Sequence, residues 1–268
     1  MIYCKSRHEL DKMRTAGKIV AAVLEELARR AKAGVTTREL DSLAEKLVSD
    51  AGGRPAFKGY KGFPATICAS INEQIVHGIP SGRRLLEGDL LSLDMGVNYQ
   101  GFFADSALTV GIGRIDEKLQ LLLKVTEESL YFGIEQARVG NRVSDISAVI
   151  QKHVERHGFS VVRDFVGHGI GAALHEEPQI PNYGTPGRGQ RLAEGMALAI
   201  EPMVNVGEPG VNWLEDKWTA VAADGSHSAH FEHTVAVTAE GPEILTALDT
   251  RVAADHSTGV PAGLRSAQ

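Results

Sequence analysis

The feature that most constrains this chain is that its two halves repeat each other. Ala31-Lys32-Ala33-Gly34 leads into a helix-forming run, and so does Ala137-Arg138-Val139-Gly140, 106 residues later. Leu86-Glu87-Gly88-Asp89-Leu90-Leu91-Ser92-Leu93-Asp94 aligns with Ala193-Glu194-Gly195-Met196-Ala197-Leu198-Ala199-Ile200-Glu201, 107 residues later. Two segments in the same order at nearly one offset mark an internal duplication. Each half reads as helices followed by strands. That order implies one α/β domain with pseudo-twofold symmetry, its mixed sheet covered by helices on one face.

Local signals fill in this frame. Ser6-Arg7-His8-Glu9 and Thr36-Thr37-Arg38-Glu39 are capping-box patterns. The first precedes Leu10, Met13, Val20, Leu24 and Leu27; the second precedes Leu40, Leu43 and Leu47 and ends at Gly52-Gly53. Further helices are expected over 119–138 and 143–157. Strands are expected over 65–70, 89–97, 101–110, 161–166, 196–201 and 231–238. The domain is expected over residues 1–250, with halves at about 8–115 and 116–248. The small and polar residues of 251–268 predict a flexible C-terminal tail.

The duplication sets Asp94 opposite Glu201. Strand alternation then sorts the side chains. Leu91, Leu93 and Met95 share one face and Ser92 and Asp94 the other. Met196, Leu198 and Ile200 share one face, with Ala197, Ala199 and Glu201 opposite. Phe231, Val235 and Val237 alternate with Glu232, Thr234 and Ala236. Three strands each place an acid on a face of small residues. A carboxylate there is costly unless it is paired or metal-bound, and few basic residues lie nearby in sequence.

Two more residues join this set. Asp105 follows Asp94 by eleven residues, so a short hairpin could return it alongside. His168 stands in Gly167-His168-Gly169-Ile170-Gly171, where flanking glycines allow close backbone approach. Each alone is weak: a hairpin acid is usually surface decoration and a GHG is usually a turn. Together, four carboxylates and one imidazole balance two divalent cations, and oxygen-rich ligation with one imidazole suits Mn, Fe, Co or Zn. His77, in Val76-His77-Gly78-Ile79-Pro80, and His175, in Leu174-His175-Glu176-Glu177-Pro178, read singly as structural. Beside a dinuclear site they become candidates for substrate contact or proton transfer.

Composition excludes other classes. The net charge is −6, so no basic face for nucleic acid or an anionic membrane is expected. No apolar run approaches the ~18 residues of a spanning helix. MIYCKSRHEL has no hydrophobic leader core, so no signal peptide is expected. Cys4 and Cys68 form no CxxC pair, and a cytoplasmic location is the simplest expectation.

The pattern resembles the type I methionine aminopeptidases of the pita-bread metallopeptidase fold. The resemblance runs from about His8 to Leu248. It is carried by Gly59-Tyr60-Lys61-Gly62-Phe63-Pro64, Ser70-Ile71-Asn72-Glu73, His77-Gly78-Ile79-Pro80, Gly167-His168-Gly169-Ile170-Gly171, Glu201-Pro202 and Glu232-His233-Thr234. It implies a pita-bread catalytic domain with a mixed, largely antiparallel sheet. It places five metal ligands on Asp94, Asp105, His168, Glu201 and Glu232, and two substrate-contacting histidines on His77 and His175. It implies a methionine pocket of Tyr60, Phe63, Cys68, Leu174 and Trp218, with Leu174 and Phe63 departing from the family's usual residues. The implied cofactors are two divalent ions (Co, Mn, Fe, Zn or Ni), with a monovalent cation near Asn72 and Ser228. The implied reaction is removal of an N-terminal methionine when the second residue is small. A metal-bridged hydroxide attacks the scissile carbonyl, and Glu201 serves as general base and acid. The implied partners are nascent polypeptide N-termini and the ribosome, with the chain a monomer.

Rival readings fit less well. Proline-directed relatives usually carry a sizeable domain ahead of the metal set, and 93 residues precede Asp94 here. The helical insertion of the type II enzymes has no room in the 32 residues between His168 and Glu201. Catalytically dead relatives and metal-free hydrolases lack the complete carboxylate set.

Overall fold

Capping boxes start the first two helices where the sequence places them. In α1 (Arg7–Arg30) the Ser6 hydroxyl accepts from the Glu9 amide at 3.4 Å, and the Ser6 amide donates to the Glu9 carboxylate at 2.7 Å. Thr36 and Glu39 repeat the device for α2 (Thr37–Asp50), at 3.2 and 2.7 Å. α3 (Glu117–Glu135) begins two residues before the expected start, because Asp116 accepts from the Leu119 amide at 2.8 Å and so satisfies an end donor. α4 covers Val143–Arg156. Both ends of α4 lie 106 residues beyond those of α2, so the repeat is realised in the backbone.

The computed structural model describes residues 2–248. The tail expected over 251–268 lies outside the described residues. The strands are β1 (Arg54–Pro55), β2 (Ile67–Ile71), β3 (Gln74–Val76), β4 (Leu90–Tyr99), β5 (Phe102–Gly111), β6 (Ser160–Val161), β7 (Gly167–Gly169), β8 (Glu176–Ile180), β9 (Ala197–Ile200), β10 (Met203–Asn205), β11 (Val211–Trp213), β12 (Ala220–Ala222), β13 (Ser228–His230), β14 (Glu232–Thr238) and β15 (Gly241–Ile244). Nine of them form one sheet in the order β1-β4-β5-β14-β9-β7-β8, with β2 also on β4 and β15 also on β14. The sheet is antiparallel as largely expected, but it is not mixed: every ladder among the described residues is antiparallel.

The halves meet at the β5–β14 pair, where Glu232 lies opposite Ala107 and His233 opposite Ser106. β4 and β9 flank that seam. The bulky alternating faces turn towards the helices: Leu91, Leu93 and Met95 cluster with Val20, Leu24, Leu27 and Leu40 of α1 and α2. Leu198, Ile200, Val235 and Val237 cluster with Leu122, Ile134, Ile146 and Ile150 of α3 and α4. Each such fully buried side chain contributes about 1.5–3 kcal/mol relative to exposure. The small-residue faces, with their acids, are left on the other side.

The strand expected over 161–166 is broken. β6 ends at Val161, paired to Val204, and β7 begins at Gly167 in the large sheet, with His168 opposite Ala199. The chain changes sheets across the exposed pair Arg163 and Asp164. Cys4 and Cys68 are both free, the first exposed and the second buried. Among the described residues no helix is long and apolar enough to cross a membrane.

Candidate active site

The β4–β5 hairpin brings the first two acids together. Asp94 faces Ala107 and Asp105 faces Gly96, so the two carboxyl groups sit two registers apart across one ladder. β14 lies on the other side of β5 and contributes Glu232. Glu201 follows the last residue of β9. Its carbonyl accepts from the buried Asn182 amide at 3.0 Å, which fixes the backbone there. His168 comes from the middle of β7, between two glycines. A Cβ at Gly167 would stand 2.4 Å from the Ala199 oxygen, and one at Gly169 would stand 2.2 Å from the Glu177 oxygen. Only glycine lets β8 and β9 press this close on both sides of the imidazole.

One cavity of about 160 Å³ collects all twelve of the side chains singled out for the metals, the two histidines and the pocket. Phe57 and Lys61 line it as well. Donor atoms of Asp105, His168 and Glu232 lie within 4.8 Å of one another. His168 Nε2 is 3.6 Å from both Asp105 Oδ2 and Glu201 Oε1. The other ring nitrogen, Nδ1, lies 2.8 Å from the Gly169 carbonyl. A carbonyl only accepts, so Nδ1 carries the proton and Nε2 offers a lone pair to the acids.

This arrangement sets acceptors against acceptors. Burial and the neighbouring acids push Asp94, Glu201 and Glu232 well above the usual carboxylate range. Burial pushes Asp105 up to about 6, against the pull of the Thr234 hydroxyl, 3.0 Å from its Oδ1. Burial lowers His168 to about 4, so it is neutral and brings no charge. Among the described residues the ion-pair contacts of these acids are to His168 and His230, and His230 is held down to about 3 by burial. Three buried acids, the part-buried Glu201 and a lone-pair nitrogen, with no Lys or Arg in ion-pair contact among the described residues, suit divalent metal.

The remaining groups form the walls. His77 follows β3 in the left-handed region, at φ 61°, a conformation that costs a non-glycine residue about 1–3 kcal/mol unless its surroundings enforce it. Gly78 supplies the enforcement: a Cβ there would lie 2.5 Å from the Ala69 oxygen, and its amide donates to Ser70 Oγ at 3.0 Å. His175 stacks on Tyr60 with centroids 5.3 Å apart, and its Nδ1 lies 2.9 Å from the Tyr60 hydroxyl. Burial lowers both histidines to about 4. Phe63 and Trp218 meet edge-on at 5.1 Å. Cys68 lies opposite Asp94 on β2, and burial, with that acid beside it, raises its thiol well above the ordinary value. The two residues named for a monovalent cation also meet: the Ser228 amide donates to the Asn72 carbonyl at 2.9 Å.

Sequence reasoning missed His230. This buried side chain places Nε2 3.7 Å from Glu201 Oε2, with no hydrogen-bond partner. Glu201 is thereby bracketed, His168 beside one oxygen and His230 beside the other. The signal was present, because His230 precedes Glu232 by two residues, one strand period. The expected strand, however, began at Phe231.

The chain is similar to known proteins along most of its length. A profile described as metallopeptidase family M24 matches residues 11–239. The methionine aminopeptidase of Clostridium perfringens is 53% identical over 246 residues, covering 92% of this chain and 99% of that protein. The crystal structure of methionine aminopeptidase from Thermotoga maritima superposes with a TM-score of 0.91 at 47% identity, over 92% of this chain and 100% of that one. A prolidase from Pyrococcus horikoshii superposes at 0.75 with 22% identity, over 92% of this chain and 64% of that one, and so shares the fold alone.

Proposed function

Because this chain belongs to metallopeptidase family M24, we propose that its buried acid–imidazole cluster holds divalent metal and hydrolyses the peptide bond after an N-terminal methionine. The observation that carries this reading is the convergence of lone-pair donors with no Lys or Arg in ion-pair contact with these acids among the described residues. Asp94, Asp105, His168, Glu201 and Glu232 are the ligands, and two divalent ions match the charge of the four acids. The native ion is one of Co, Mn, Fe, Zn or Ni. Such ions make water acidic and polarise a carbonyl bound beside them.

The protein's own groups do the rest. The methionine thioether enters the slot of Tyr60, Phe63, Cys68, Leu174 and Trp218, a sulfur- and aromatic-lined space that suits a polarizable side chain. Glu201 takes a proton from the attacking water and returns it to the leaving amine. His230, neutral, stands beside the other oxygen of that carboxylate. His175 and His77, neutral near pH 7, donate hydrogen bonds to the substrate and to its developing negative oxygen. With Tyr60 donating to Nδ1 of His175, the proton of that ring sits on Nε2, facing the cavity. A small second residue is required where the chain leaves the cavity.

The finer parts of the reading rest on the family resemblance. The catalytic unit spans residues 1–250. A monovalent cation binds near Asn72 and Ser228. The chain works as a monomer in the cytoplasm, on nascent polypeptide N-termini, and meets them at the ribosome. The test is to incubate metal-loaded protein with Met-Ala-Ser and with peptides carrying proline at the second position. The expected result is methionine release from Met-Ala-Ser, lost in Glu201→Gln. Cleavage only before proline would overturn the substrate assignment.

A further inference from the structure

Outside the cavity, the molecule exposes an aromatic side chain that its own packing does not require. Trp213 is 55% exposed and its neighbour Leu214 42%. The indole meets Phe165 edge-on at 5.3 Å, and Phe165 meets His77 edge-on at 5.5 Å. His77 in turn meets Trp218 at 6.2 Å, and Trp218 lines the cavity. His77 therefore stands between the aromatic wall of the cavity and an aromatic pair outside it.

The β-ladder fixes that relation. Trp213 lies opposite Ala220 on β12, and Ala220 lies opposite Val76 on β3, the residue before His77. Residues directly opposed share a face, and two strand spacings hold Trp213 about 10 Å from Val76. The connecting turn is tied: Leu214 N donates to Thr219 O at 2.9 Å, and Asp216 Oδ1 accepts from the Trp218 and Thr219 amides at 2.8 Å each. One braced hairpin thus presents Trp218 inward and Trp213 outward.

We propose that Phe165, Trp213 and Leu214 form a subsite for an apolar side chain at the third or fourth position of the peptide substrate. This rests on the reading that the cavity takes the N-terminal methionine. With that side chain in the cavity and the scissile bond beside His77, an extended chain advances about 3.3–3.6 Å per residue. The aromatic pair is therefore reached about two to three residues past the bond. Glu215, Asp216 and Lys217 are exposed on the same hairpin, which leaves it net acidic, so an acidic residue at this position meets like charge on balance.

The experiment uses the metal-loaded full chain and the peptides Met-Ala-Xaa-Ser-Lys and Met-Ala-Ser-Xaa-Lys, with Xaa as Phe, Ser or Asp. Phe at one of the two positions raises kcat/KM about three- to tenfold over Ser, the size of one aromatic contact, and does so through KM. Asp falls below Ser. Trp213→Ala removes the gain, Trp213→Phe keeps most of it, and hydrolysis of the tripeptide Met-Ala-Ser is unchanged in both. Equal rates for Phe and Ser in the parent chain, or a gain that survives Trp213→Ala, would overturn the subsite. Failure of the parent to cleave Met-Ala-Ser at all would strike the methionine reading itself, and the subsite with it.

Discussion

The two halves of the molecule share a frame but return their chains differently. In the first, Asp94 and Asp105 sit on one hairpin of two ten-residue strands, in unbroken register from Leu90–Gly111 to Tyr99–Phe102. In the second, Glu201 follows a four-residue strand, and residues 202–231 intervene before Glu232 opens β14. That detour builds β10 to β13 and carries Trp213, Trp218 and His230. The acids remain quasi-symmetric about the β5–β14 seam, while the longer return adds Trp218 to the cavity wall and His230 beside Glu201. Duplication explains why acids from both halves converge; the unequal return explains why their surroundings differ.

The sharpest way to break this comparison is to neutralise the paired acids one at a time. Asp94→Asn should lower metal affinity, with the rate on Met-Ala-Ser largely recovered at high metal concentration. Glu201→Gln should lower kcat by about 10²–10⁴-fold with no recovery at any metal level, because a proton carrier is lost as well. Identical behaviour of the two in a metal titration of the rate would remove the asymmetry.

A second comparison concerns the helix-facing side, where the halves should be alike. Leu93 and Leu198 are both fully buried, one under each helix pair. Leu93→Ala and Leu198→Ala should each cost about 2–5 kcal/mol in urea unfolding. A negligible loss for either would mean that its half does not carry its share of the core.

The smallest effect is the pH response of the chelated protein. The fold raises these acids, so the unfolded chain loses its protons first, near pH 4. The acids' contribution to native stability then falls as pH rises from there through about 6 for Asp105 and further for Asp94, Glu201 and Glu232. Below about pH 6.5 it is opposed by His77, His168, His175, His230 and His233, which burial lowers, so that the unfolded chain takes up their protons first. The melting temperature of chelated protein should therefore drop above about pH 7, and metal should abolish the drop. A melting temperature that rises with pH above about 7 in the absence of metal would contradict the account.

Most of the frame was legible in the sequence because it rests on periodic signals. The 106-residue offset is met at both ends of α2 and α4, and the alternation of Leu91, Leu93 and Met95 with Ser92 and Asp94 matches the two faces of the sheet. The long return was not legible. β10, β11, β12 and β13 are three residues each, too short for any period to emerge, and their positions depend on tied turns such as that at Asp216. The site was legible in its acids, which alternation and duplication locate together. Its walls were legible only through resemblance, because Tyr60, Cys68 and Trp218 lie far apart in sequence. His230 fell one residue outside the expected strand, and Trp213 carried no pattern to distinguish it from a core anchor.

The central claim is that five side chains from both halves hold one metal centre. Equilibrium dialysis of the parent chain and of Asp105→Ala against Mn or Co, followed by elemental analysis, tests it most directly. The account predicts two equivalents of tightly held metal in the parent and a marked loss in the variant. Unchanged stoichiometry and affinity in Asp105→Ala would contradict it.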